Sequence, residues 1–286
     1  MTTTQIRQLP APARKGAGRR SAARRGFASG RTGRTLLGAG TVVAVFAVWE
    51  LLARTGAFPP GSIPPGSSVL GEFVTQLGMG EFWQTLWNTV SVALTGLLLI
   101  VLIASPLALL IGLVRPVQES VWFVTEFLKP IPPVALIPLG LLLWGPSPGM
   151  KLFLIVFGAI WPLLTQLIYG LKEINGVSAD MARSYRLGRW LTISRLVVPS
   201  ILPFALTGLR VSASIAVIVA VVTEMVGGAA GLGQSIVVAQ SAGALAEMYA
   251  LILAAGLLGL LINAAFRGLE KPLLFWHPSV RQEGNL

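Results

Sequence analysis

The chain of 286 residues contains no cysteine and a single histidine, His277. Disulfide bonding and thiolate chemistry are therefore excluded, and so is a histidine-rich metal site. Charge is scarce as well. Asp, Glu, Lys and Arg together make up 12% of the sequence, about half of what a soluble domain carries. None of that charge falls within 82–114 or 152–171. Uncharged apolar runs longer than about 18 residues are suited to crossing a bilayer. Acidic residues are the scarcest, eleven against twenty-two Lys and Arg. Paired carboxylates in a cleft pattern, a Ser-His-Asp set and the Gly-x-x-x-x-Gly-Lys-Ser/Thr phosphate loop are all missing. The chain is expected to carry no catalytic residue, no metal and no cofactor of its own.

What the sequence has in quantity is apolar residues, 54% of the total. They gather in six stretches, 36–53, 88–114, 130–144, 152–171, 206–226 and 249–266. This predicts an all-α polytopic membrane protein with six transmembrane helices. The third stretch is the least regular and can begin as early as Trp122. Glu126 and Lys129 precede it, three apart and able to pair, and Pro130, Pro132, Pro133 and Pro138 interrupt it. Proline removes a backbone donor and kinks a helix. A membrane tolerates such a break only where protein or a water-filled cavity satisfies the freed groups. Pro132 and Pro133 thus mark either a simple kink or a bend lining a path through the membrane.

The placement of the basic residues sets the orientation. Nine lie in 1–35, and twenty of the twenty-two fall on one side if both termini are cytoplasmic; Arg54 and Lys151 are the exceptions. The positive-inside rule then places both ends in the cytoplasm. Trp83, Trp87 and Trp144 suit the interfacial aromatic belt. Residues 1–35 mix their charge with Ala, Gly, Ser and Pro, a composition that predicts a disordered basic tail against anionic lipid. They lack the aromatics of a base-stacking nucleic-acid arm, so no nucleic-acid partner is expected. Arg24-Arg25-Gly26-Phe27 is not read as a twin-arginine signal: the apolar run starts late and no small-residue cleavage site closes it. The expected organisation is a tail over 1–35, a six-span domain over 36–270 and a cytoplasmic tail over 271–286.

The segment 172–203 between the fourth and fifth stretches is long for a connection yet ordered in composition. Ser178 can cap a helix start, with Met181, Ala182 and Tyr185 at helical spacing behind it. Gly188 is a plausible stop. The short helix carries the basic residues Arg183, Arg186 and Arg189, and Pro199 and Pro203 stiffen the entry to the fifth span. A short rigid helix held between two spans on the cytoplasmic face is suited to docking a soluble partner; lying on lipid is the other reading.

This loop resembles the EAA loop of ABC importer permeases. Asp180 stands in the Glu place, Met181 and Ala182 in the two Ala places, and Leu196, Val198 and Pro199 in the closing places. Met181-Ala182-Arg183-Ser184-Tyr185, Arg189-Trp190 and Pro203 are similar to the subfamily that imports sulfonates, taurine, nitrate and related small anions. The likeness covers roughly 87–278, including Lys151-Leu152-Phe153, Gly231-Leu232-Gly233 and Trp276-His277-Pro278. It implies the ABC importer permease (MetI-like) fold in a bacterial inner membrane. It also implies a cytoplasmic ABC ATPase docking on the loop, an extracytoplasmic solute-binding protein, and a second permease copy, most simply an identical chain. The family glycine falls at Arg186, two residues before Gly188, so either the turn slides to Gly188 or the helix runs on by half a turn.

Ser212, Ala216 and Ala220 recur every four residues, a spacing that lets helices approach closely. They serve either packing within the chain or contact between two permeases. Glu224 near the end of the fifth span is a functional candidate or a group capped by water; Glu50 is similar. An ion-driven secondary transporter is the rival function, but it needs ionisable groups in mid-span and shows itself through internal repeats. The chain has almost none of the former and no visible example of the latter.

Overall fold

The computed structural model describes residues 31–59, 61–174 and 176–275. Among them the chain is helical, with turns and no strand. It divides into two units, Met1–Ala57 and Phe58–Leu286. The first contains α1 (Arg31–Arg54), whose Glu50 and Arg54 pair at 2.6 Å one turn apart. The helix begins within the segment expected to be tail. Residues 1–30 and 276–286, including the Trp276-His277-Pro278 motif, lie outside the described residues.

The second unit opens with α2 (Gly66–Leu77) and α3 (Gly80–Leu113). α3 has 34 residues, about 51 Å at 1.5 Å per residue and ample for a bilayer. It starts eight residues before the expected span, and the Trp83 indole N–H donates to the Leu77 carbonyl at 2.9 Å. The expected single third span is instead a broken one. α4 (Arg115–Leu128), a 3₁₀ turn at Pro133–Leu136 and α5 (Ile137–Trp144) meet at 85°. Three prolines within four residues, Pro130, Pro132 and Pro133, leave no run of amide donors to carry a helix through.

α6 (Pro148–Lys172) follows, then the short α7 (Gly176–Ser184). α8 (Arg189–Thr192) passes through one π-helical turn at Ile193–Val197 into α9 (Val198–Gly227). The apolar helix is thus continuous over Trp190–Gly227. Pro199 and Pro203 therefore sit inside a helix rather than in a linker. The wider turn ends where the Val198 N–H bonds to the Ile193 carbonyl, one residue before the first of these prolines. Such a turn accommodates a break in the regular bonding ladder. α10 (Leu232–Ser241) and α11 (Leu245–Leu273) complete the unit. α1, α3, α6, the continuous helix through α9 and α11 are each long and apolar enough to cross a membrane, and the bent pair makes a sixth.

α6 is the centre of the bundle. It runs parallel to α3, with Ile155 against Gly96 and Leu171 against Gly112, and antiparallel to α9, with Gly170 against Phe204 and Val219 near Gly158. At Gly208 backbone meets backbone: an added Cβ would stand 2.9 Å from Leu163 Cα and 3.2 Å from the Pro162 carbonyl. Backbone cannot yield there, so any larger residue at 208 forces the helices apart. Around this seam Ile100, Leu154, Ile155, Ala159, Ala216 and Ala220 belong to the apolar core. Small residues let backbones meet closely enough for dispersion to hold helices together in lipid, where the hydrophobic effect is lost.

Candidate functional site

Because α6 and α9 are antiparallel, the bundle has two distinct ends. At one end α6 hands over to α7; at the other, the start of α6 meets the end of α9.

At the α7 end, Ala182 is buried while Met181, Tyr185 and Trp190 are exposed, at 55%, 74% and 80%. Ala182, Leu187, Leu191 and Leu196 line an apolar hollow beneath α7. The turn that closes α7 has a specific geometry. Arg186 has φ +46°, the Tyr185 N–H bonds to Met181 at 2.9 Å, and the Leu187 N–H reaches back five residues to Ala182 at 3.0 Å. A left-handed residue just past the helix with a six-to-one hydrogen bond is a Schellman stop. The turn has not slid to Gly188 and the helix does not run on: the left-handed position stays at Arg186, occupied by an arginine. A side chain there costs about 1 kcal/mol relative to glycine. Arg186→Gly is therefore expected to raise the stability of the detergent-solubilised protein by about 1 kcal/mol, read as a higher Tm; an unchanged Tm would count against a left-handed Arg186. Gly188 needs no such freedom, and a Cβ there would meet open space. Asp180 lies on the exposed side of α7.

The opposite end holds an ionic network within the protein interior. Lys151, in the first turn of α6, and Glu224, in the last turn of α9, are 2% and 0% exposed and pair at 2.9 Å. The Lys151 ammonium also donates to the Ala230 carbonyl at 2.8 Å and, more weakly, to the Asn88 carbonyl at 3.5 Å. The second Glu224 oxygen accepts from the Thr89 hydroxyl at 2.9 Å and from the Gly233 N–H at 3.0 Å. Thr89 in turn accepts from the Leu232 N–H at 2.9 Å. The first two amides of α10 have no partner inside their own helix. Here a hydroxyl from α3 and a carboxylate from α9 take them, and the negative charge faces the positive end of the helix dipole. The arrangement ties α3, α6, α9 and α10 together through satisfied polar groups, the condition under which a buried ion pair is tolerated.

The turn from α9 into α10 is shaped to this network. Gly231 has φ +155° and ψ −177°, and a Cβ on it would fall onto the Glu224 carboxylate. Of the two sequence readings of Glu224, water capping gives way to a protein ion pair. Lys151, counted in the sequence as an external loop charge, is its partner. The signal was present: both residues fall at the same end of adjacent antiparallel spans.

The remaining candidates are distributed along the helices. Pro132 and Pro133 form the corner of the broken span, Pro132 exposed and Pro133 packed on Gly158. Ser212, Ala216 and Ala220 are buried in the chain's own core, and the Ser212 hydroxyl has no partner among the described residues.

Comparison with known proteins agrees with this geometry. Residues 96–272 match the family described as the binding-protein-dependent transport system inner membrane component. A putative ABC transporter permease protein of Methanocaldococcus jannaschii is 31% identical over 240 residues, covering 82% of this chain and 89% of that one. The taurine transport system permease protein of Escherichia coli is 28% identical over 253 residues, covering 86% and 91%. The nitrate import permease protein of Leptolyngbya laminosa is 28% identical over 233 residues, covering 78% and 83%. Among solved structures, an inward-facing conformation of the MetNI methionine ABC transporter superposes with a TM-score of 0.57 at 17% identity, covering 66% of this chain and 94% of that chain. The likeness to that structure is one of fold.

The chain belongs to the family of binding-protein-dependent inner-membrane transport components. It is a multi-pass permease subunit of an ABC importer, a class that works with an ATPase and a binding protein.

Proposed function

We propose that this permease imports a small anion such as an aliphatic sulfonate, taurine or nitrate, coupled to ATP turnover through α7. The coupling reading rests on one observation: Met181, Tyr185 and Trp190 are exposed together at the end of the bundle beside the Arg186 turn. Apolar and aromatic side chains grouped this way gain from being covered by a partner. A cytoplasmic ATPase is that partner, with Asp180, Ala182, Arg183, Gly188, Pro199 and Pro203 shaping or framing the docking element. The solute class is supported by relatives named for taurine and nitrate. The α7 end faces the cytoplasm, as do both termini, and the Lys151–Glu224 end faces the binding protein. A second, identical permease completes the path, and nucleotide chemistry belongs to the ATPase alone.

Two experiments test this. Met181→Asp with Tyr185→Asp alters only exposed side chains. It is expected to lower co-purifying ATPase by about tenfold or more and to abolish ATP-driven taurine uptake in proteoliposomes with the binding protein present. ATPase retained at the original level would reject the docking role of α7. Topology is open to single-cysteine labelling, since the chain has no cysteine of its own. A cysteine at Thr4 is expected to resist a membrane-impermeant maleimide in intact cells and to react after lysis.

A further inference from the structure

α4 is loosely seated: none of its residues is fully buried. Between it and the last turns of α6 lies a cavity of about 170 Å³, several times the roughly 30 Å³ that one water occupies. Its floor is apolar, with Ile111 and Leu164 both buried. Its polar lining is rich in hydrogen-bond donors. The half-buried Gln118 amide and Thr165 hydroxyl border the cavity, and the exposed Tyr169 hydroxyl and Lys172 ammonium stand at its open rim. The single acid in the lining, Glu126, is held by Lys129 at 2.6 Å, which leaves the exposed Lys172 as the lining cation without an ion pair among the described residues.

We infer that this cavity binds an oxyanion, the phosphate of an anionic phospholipid or a free small oxyanion, through Lys172 together with Tyr169, Thr165 and Gln118. A convergence of one ammonium with hydroxyl and amide donors satisfies an anion through charge-assisted hydrogen bonds. Basic pockets between membrane helices suit anionic headgroups in particular, and the apolar floor suits the start of an acyl chain. The site is separate from the α7 hollow and from the ionic network, and it does not depend on which solute is transported.

The test uses the purified complex in detergent. Phosphatidylglycerol and phosphatidylcholine adducts are followed by native mass spectrometry, and radiolabelled sulfate by equilibrium dialysis. The wild type is expected to retain one of the anionic probes and not phosphatidylcholine. Lys172→Gln is expected to weaken that retention about tenfold, with a smaller loss for Tyr169→Phe. Thr165→Phe, which fills the cavity without touching its charge, is expected to match Lys172→Gln. Loss confined to phosphatidylglycerol identifies a lipid headgroup as the source; loss of sulfate identifies a free oxyanion. The inference is overturned if the wild type retains neither probe, if Lys172→Gln retains as much as the wild type, or if Thr165→Phe binds normally and so places the anion elsewhere.

Discussion

Lys151→Met is expected to destabilise the permease by about 3–5 kcal/mol, the range for removing one member of a buried ion pair. The loss comes less from the missing attraction than from what remains. Glu224 is 0% exposed, and without the ammonium its charge keeps only the Thr89 hydroxyl and the Gly233 amide for stabilisation. Adding Glu224→Gln should recover a large part of the loss, because the uncompensated charge disappears while an oxygen acceptor stays near Thr89 and Gly233. Unfolding in mixed micelles, followed for the single and double variants, measures the coupling between the two sites. If the double variant were as unstable as the sum of its parts, the pair would not be the electrostatic unit described here.

Gly231→Ala is the second large effect, expected at about 3 kcal/mol from a backbone conformation nearly confined to glycine together with displacement of the carboxylate. The Cβ would occupy the place of the Glu224 carboxylate, so the substitution damages the same network from the loop side. Gly228 provides the control. It has φ +68° but open space around it, so Gly228→Ala should cost only about 1 kcal/mol. A ratio near one between these two variants, in the same unfolding assay, would remove the steric part of the argument.

How much of this could be read in the sequence differs from element to element. Hydropathy located α1, α3, α6, α9 and α11, because each has a long apolar stretch and membrane helices need about 20 such residues. It misjudged where they start. α3 begins with Glu81 and two tryptophans, and the helix through α9 begins in the basic segment at Arg189, so both openings resemble loop. The prolines after Lys129 signalled a break but not its 85° angle, which depends on what the two halves pack against. α2 and α10 were not assigned at all, being short and of mixed polarity. At the α7 end a short helix was legible from its spacing, while the left-handed Arg186 defied the expectation that a glycine must mark the turn. The Lys151–Glu224 pair was the hardest to see. Its members lie 73 residues apart, and only the register between α6 and α9 brings them together.

The continuous helix over Trp190–Gly227 connects the two ends mechanically. Its 38 residues make a rod of about 57 Å. One extremity adjoins α7 with its exposed Met181 and Tyr185; the other is fastened by Glu224 into the ionic network. Pivoting at the fastened extremity, a tilt of about 5° would carry the far extremity through about 5 Å, nearly a full helical turn. The π-helical turn at Ile193–Val197 sits close to the α7 extremity, so under the proposed coupling any give in the rod falls at the end where an ATPase would push.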